Sequence, residues 1–199
     1  MIETAGPAAS VALFDGDRLV AFRHEETARG TAERLIGIID ALTPREVGEI
    51  LVDVGPGSFT GLRVGIAAAL GLAIGWGIKV QGYGATALVA ARALAQGVEA
   101  PRLLAVNEGG HGQYFVQPFV TDPLRAEGIA ASVLPEDLAI EGFHIIGNAA
   151  QKFGGIATAL DARYALHLPA ELRNLPPVPI YGRAPDAKPA LSRADVLRA

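Results

Sequence analysis

Ile50-Leu51-Val52-Asp53-Val54-Gly55-Pro56-Gly57-Ser58-Phe59-Thr60-Gly61-Leu62-Arg63, followed by an almost uncharged run to Gly77, reads as an apolar strand, a Gly-Pro-Gly turn and the start of a helix rich in small residues. Such a turn has two uses. It can cradle an anion, because the free N–H groups and the dipole of the helix N-terminus point at it. It can also serve as a corner that lays the helix on a sheet. Pro56 sets its own φ near about −65° between two glycines that tolerate positive φ. Ser58 or Thr60 is placed to cap the helix. A P-loop needs a lysine after its second glycine, and none follows here. The Gly-x-Ser-x-Gly of a nucleophile elbow is out of register with Gly57-Ser58-Phe59-Thr60-Gly61, which leaves Ser58 as a cap rather than a nucleophile. The corner is the favoured reading.

The helix behind the turn carries more information. Gly61, Gly65 and Ala69 recur every four residues, and so do Ala67, Gly71 and Gly75. Each glycine inside a helix costs about 1 kcal/mol relative to alanine, so four of them cost on the order of 4 kcal/mol. A domain is stable by only about 5–15 kcal/mol, so close packing must offset that cost. Two ridges free of side chains predict a helix packed on more than one side, with Leu62, Ile66, Leu70, Ala73 and Ile74 filling the space between. A helix apolar all round is buried all round. One side is expected on its own sheet, and the other against a further helix from this chain or from a partner. The uncharged stretch from Val64 to Ile78, bracketed by Arg63 and Lys79, is 15 residues long. That is short of the roughly 20 residues of a membrane span, so no membrane is expected.

Half of the 199 residues are hydrophobic and 19% are charged. A charged share below the usual ~25% suits buried interfaces. A net charge of −4 argues against a protein that tracks nucleic-acid phosphates by itself. The absence of cysteine rules out disulfides, thiolate nucleophiles and Cys-type zinc sites. The first residues lack the basic and apolar runs of a signal peptide, so a cytoplasmic protein is expected.

In chain order, Ala9 to Phe14 and Leu19 to Arg23 read as strands joined by Asp15-Gly16-Asp17, a hairpin signal. A strand over Met1–Ala5 would be short. Thr31 to Leu42 is an amphipathic helix closed by Pro44, with Leu35, Ile36, Ile38, Ile39 and Leu42 on its apolar side. Val80 to Tyr83 is a strand and Thr86 to Ala95 an Ala-rich helix ended by Gly97. This alternation places the first half in the α/β class. Pro101 suggests a boundary, dividing the chain into 1–100 and 101–199. Beyond it, Leu103–Val106 and Tyr114–Val120 form a hairpin across a glycine-rich loop at 107–112. Pro135 opens a short helix, Phe143–Ile146 is a strand, and Ala149–Leu160 is helical as far as Gly154-Gly155. A proline-rich tail follows, extended and irregular, with a last helical turn near Ala194.

Catalytic candidates are sparse. His24, His111, His144 and His167 lack metal-ligand spacing, and only His111, in its glycine-rich loop, merits a test. Glu3, Asp15, Asp17 and Asp53 lie near strand ends, where a pair could hold Mg²⁺. Asp15 and Asp17 are explained by their turn, and Asp53 marks either a site or the exposed face of its strand.

The stretch Gly55–Gly65, GPGSFTGLRVG, strongly resembles the TsaB (YeaZ) family, a partner in making threonylcarbamoyladenosine in tRNA. Ala9–Gly16, Arg29–Leu35, Ile38–Leu42 and Pro179–Pro189 match the same family in order and spacing. The resemblance implies an actin-like (ASKHA) fold of two RNase-H-like domains, the second reduced. It also implies a non-catalytic scaffold that forms homodimers, pairs with a TsaD-like subunit and is joined by a TsaE-like ATPase. Contact with tRNA would then be indirect, through the complex. No cofactor is expected on the chain itself, and ATP with Mg²⁺ only at the level of the complex. The interface expected on the two helices comprises Arg34, Leu35, Ile38, Gly61, Gly65, Ala68, Ala69, Gly71, Leu72 and Gly75. The alternative from the residues is an independent actin-like ATPase using Glu3, Asp53 or the Gly55–Gly61 turn, or a peptidase using Ser58. The chain departs from the family at Glu3, where Asp is usual, at Thr31, where His is usual, and at Asn107-Glu108-Gly109, where Asp-Ala-Arg is usual. Residues 120–145 match poorly and carry no assigned role.

Overall fold

The computed structural model describes residues 1–26, 31–42 and 47–182. Strands β1 (Ile2–Glu3), β2 (Ala8–Asp15), β3 (Arg18–Glu26), β4 (Glu49–Gly55) and β5 (Lys79–Gly84) form a first sheet in the order β3-β2-β1-β4-β5. β1, β4 and β5 run parallel, and the β2–β3 hairpin is antiparallel to them. Helices α1 (Thr31–Leu42) and α2 (Phe59–Trp76) cover one face. Ile50, Val52 and Val54 alternate onto that face and meet Leu35, Ile38, Ile66, Ala69 and Ala73.

Helix α3 (Ala85–Ala95) covers the other face and is shared with a second sheet. That sheet comprises β6 (Arg102–Gly110), β7 (Gln113–Thr121), β8 (Leu124–Ala126), β9 (Ala131–Val133), β10 (His144–Gly147) and β11 (Ile156–Ala157), ordered β11-β10-β6-β7-β8 with β9 beside β7. Leu51 and Tyr83 from the first sheet and Leu103, Phe119 and Ile146 from the second pack with α3 into one cluster. The alanines of α3 are a consequence of this position, since a helix between two sheets has room for small side chains. The architecture is actin-like α/β, with 3-10 turns and no long helix on the outer face of the second sheet among the described residues.

Several expectations change. The glycine-rich stretch 107–112 is mostly strand. β6 runs to Gly110 and the turn is His111-Gly112, both with positive φ (52° and 76°), after a bulge between Glu108 and Gly110. His111 therefore sits in a tight hairpin rather than a flexible loop. Residues 149–160 are not a long helix: a 3-10 turn, Ala150–Phe153, ends at left-handed Gly154, and β11 follows. Gly155 lies against the backbone of Ile145, leaving no room for a side chain, which forces the chain back into the sheet. Asp53 is fully buried, because both faces of β4 are covered. Helix α2 is not enclosed all round, since Ile74 is 84% exposed and Leu70 40%. By length and composition α2 could cross a membrane, but its inner side here packs on β4 and α1. Pro44, Arg29-Gly30, Arg183–Pro189 and Ala194 lie outside the described residues.

Candidate functional site

Two regions concentrate unusual chemistry. The first is a polar row on the α3 side of the first sheet. Ser10 opposes Glu3 across the β1–β2 pair, Ile2 is in register with Val52, and Asp53 with Tyr83. The row is therefore Ser10, Glu3, Asp53, Tyr83, on four neighbouring strands. Glu3 Oε1 accepts from Gly6 N (3.1 Å) and Oε2 from Ser10 Oγ (3.2 Å). Ser10 Oγ in turn accepts from Ala162 N (3.0 Å), at the start of the 3-10 turn Ala162–His167. Asp53 Oδ1 accepts from Gly55 N (2.7 Å), while its Oδ2 is buried without a partner. Tyr83 donates to Ile2 O (2.8 Å).

Burial dominates the titration of this row. It pushes the Glu3 carboxyl up to about 7, opposed by its hydrogen bonds, with the Asp161 charge adding to the rise. Burial, and then the Glu3 charge, raises Asp53 well above the carboxylate range. Burial and the neighbouring carboxylates also raise the Tyr83 phenol. Two buried carboxyls side by side favour a shared proton. Asp161, also buried, is satisfied differently. It accepts from Arg163 Nη2 at 2.7 Å and lies 3.6 Å from Arg92, an ion pair that helps bind the 3-10 turn to α3.

The Gly-Pro-Gly turn has its amides engaged within the chain. Gly55 N goes to Asp53, Ser58 N donates to Ala5 O (2.7 Å), and Gly61 N donates to Ser58 Oγ (3.2 Å). Ser58 is the N-cap, and left-handed Gly77 closes α2 at the other end. The corner reading therefore fits and the phosphate cradle does not. Nor do Glu3 and Asp53 fit a Mg²⁺–nucleotide: both are sealed from solvent, and the ordered oxygens hold amide and hydroxyl donors. No group of three or more His, Asp or Glu among the described residues is arranged to hold a metal.

The second region is the surface of α1 and α2. The ridge Gly61–Gly65–Ala69 is closed by this chain itself. Thr4 Oγ1 donates to Gly61 O (2.8 Å), and a Cβ on Gly61 or Gly65 would fall on Thr4. Of the ten positions expected at an interface, Leu35, Ile38, Gly61, Gly65 and Ala69 are buried in the chain's own core. Arg34, Gly71 and Gly75 are exposed, and Ala68 and Leu72 half-buried. A Cβ on Gly71 or Gly75 would meet nothing within 4 Å, so the second ridge lies open beside exposed Leu70 and Ile74.

One cluster escaped the sequence reading. Arg63 lies over the Phe59 ring at 3.6 Å and donates through Nε to the Tyr181 hydroxyl at 2.9 Å. The rings of Phe59 and Tyr181 are 5.1 Å apart. The two GPGSFTGLR residues and Tyr181 stood in separate motifs matched to one family, but nothing local joined them.

Comparison with known proteins gives a consistent picture. The family model for TsaD, tRNA N6-adenosine threonylcarbamoyltransferase, matches residues 18–124. An uncharacterized protein of Mycobacterium leprae is 27% identical over 94% of the chain, and the chain spans 54% of that relative's length. YeaZ from Pseudomonas aeruginosa superposes with a TM-score of 0.76 at 24% identity, covering 90% of this chain and 97% of that one. A structure described as an uncharacterized protein with similarity to peptidase YEAZ, from the same organism, superposes with a TM-score of 0.77 at 23% identity over 92% and 97% of the two chains.

Proposed function

We propose, from the premise that this chain belongs to the TsaD family of tRNA N6-adenosine threonylcarbamoyltransferases and has the actin-like fold of YeaZ, that it is a non-catalytic scaffold subunit of tRNA threonylcarbamoylation. It pairs with a TsaD-like subunit, and with a second copy of itself, through the outer surface of α1 and α2. A TsaE-like ATPase joins the complex, tRNA is met through the complex, and ATP with Mg²⁺ belongs to that assembly rather than to this chain alone. The observation that carries the reading is the open ridge Ala67–Gly71–Gly75. Two glycines on an exposed helix face cost about 2 kcal/mol and gain no packing within the chain, whereas a partner helix could use the space. The rival readings, an independent ATPase or a peptidase, draw on atoms already engaged: Ser58 Oγ caps α2 and the carboxylates are sealed.

The test is Gly71→Leu and Gly75→Leu, with co-purification against a TsaD-like subunit and measurement of threonylcarbamoyladenosine in tRNA from a deletion strain carrying each variant. Loss of the complex and of the modified nucleoside, with the fold intact, is expected. Unaltered modification in the deletion strain itself would sink the proposal. Gly65→Leu is not an interface test, since Thr4 fills that position.

A further inference from the structure

Open α/β sheets hold ligands in the crevice beyond the carboxyl ends of their parallel strands. In the first sheet that crevice lies beyond Glu3, Gly55 and Gly84, and the chain's own residues 175–182 run across it. Leu175 exchanges both backbone hydrogen bonds with Gly82, at 2.7 and 3.0 Å, on the otherwise free edge of β5. Ile180 N then donates to Val54 O (2.7 Å) at the end of β4.

Three glycines are shaped to this path. Side chains on Gly82 would strike the carbonyls of Leu175 and Pro176, and on Gly55 (φ 104°) the carbonyl of Ile180. Gly182 lies against the Phe115 ring of the second sheet and against Pro56. The segment therefore reaches from one sheet to the other. Its side chains are poorly buried: Val178 is 61% exposed, Tyr181 40% and Ile180 39%. Backbone bonds hold it, and on the outside the stack of Phe59, Arg63 and Tyr181. Arg63 makes no ion pair among the described residues, so its charge is directed at this stack. Segments with few buried apolar contacts open locally before the core does.

We propose that residues 175–182 are a displaceable strap that plugs the carboxyl-end crevice of the first sheet and is latched by Arg63 on Tyr181 and Phe59. Loosening the latch opens the crevice while both sheets and α3 stay folded. The proposal rests on these contacts alone and stands apart from the assembly reading.

The chain has no cysteine, so Gly84→Cys supplies a single reporter thiol in the crevice. A Cβ there meets only Gly55 O at 3.5 Å and Ala87 Cβ at 3.9 Å. The labelling rate with a small aromatic disulfide is measured on the whole chain for Gly84→Cys alone, with Arg63→Ala, and with Tyr181→Phe. The rate is expected to rise about tenfold or more with Arg63→Ala and less with Tyr181→Phe, at an unchanged urea midpoint, since one charge-assisted hydrogen bond and a ring contact are lost. An unchanged rate in both, or a rise that only follows a lowered urea midpoint, overturns the proposal. Should the cysteine variant not fold, amide exchange in Arg63→Ala on the cysteine-free chain decides. Faster exchange confined to Leu175 and Ile180 supports the strap, and no change or uniform acceleration that includes Val52 and Leu88 refutes it.

Discussion

Replacing Glu3 by Gln should make the protein more stable at pH 8 and leave it no more stable at pH 4.5. Glu3 is 1% exposed, and burial lifts its carboxyl from an ordinary 4.5 to about 7. A raised acid favours the folded state while it is protonated. That stability is complete below the unfolded value and is lost as pH rises through the folded one. A lift from 4.5 to about 7, at about 1.4 kcal/mol per pH unit, corresponds to about 3 kcal/mol lost over that window. Coupling to Asp53 makes this an upper figure. Gln stays neutral and its carbonyl can still accept from Gly6 N. Its amide nitrogen, however, faces Ser10 Oγ, which must then give up donating to Glu3 in order to accept. That rearrangement costs about 1 kcal/mol. The net gain expected at pH 8 is therefore about 1–2 kcal/mol, turning into a small loss near pH 4.5. Urea unfolding of both proteins across pH 4.5–8 reads the difference directly. A difference that does not vary with pH would refute the reasoning, because it would mean that Glu3 is ionised throughout or is hydrated in the folded chain.

The two glycine ridges should respond oppositely to a methyl group. Gly71→Ala, in open space, is expected to stabilise the isolated chain by about 0.5–1 kcal/mol. Gly65→Ala, which drives into Thr4 and its bond to Gly61 O, is expected to destabilise it by about 1–3 kcal/mol, and urea midpoints distinguish the two. Ser58→Ala removes the α2 cap and should cost about 1 kcal/mol in the same assay. Tyr83→Phe leaves the carbonyl of Ile2 without its buried donor and should cost about 1–2 kcal/mol, read by thermal or urea unfolding.

What sequence reasoning reached was local. The strand-turn-helix at 50–77, the Gly16-Asp17 hairpin and the Ser58 cap are set by neighbours within a few residues, so their signals lie side by side. The ridge spacing in α2 was equally visible, but not what closes each ridge. Thr4 meets Gly61 across 57 residues, and no pattern in either segment announces the other. Asp53 shows the limit of alternation. Its period assigns it to the face of Leu51, but only the placement of α3 makes that face an interior. Glycine misled where it served close packing rather than a turn. Gly109 sits in a strand bulge against the Gln113 carbonyl, and Gly155 against Ile145, so composition that suggested a loop and a helix break became sheet. The Arg63–Tyr181 latch joins residues 118 apart and was invisible for the same reason.

The contacts that seal the first sheet come from the far end of the chain. Ser10 waits for Ala162, 152 residues later, and Val54 and Gly82 wait for Ile180 and Leu175. Loops of this length delay closure, because their entropy must be lost before the contacts can form. On a ribosome, the first half of the chain emerges with the carbonyl of Val54, the edge of β5 and the carboxyls of Glu3 and Asp53 all uncovered. Two acids that are sealed in the finished protein are in water during synthesis, fully charged. Folding must therefore draw a proton into the row as the last segments arrive, which makes completion of this fold a late, proton-consuming event rather than the docking of two finished halves.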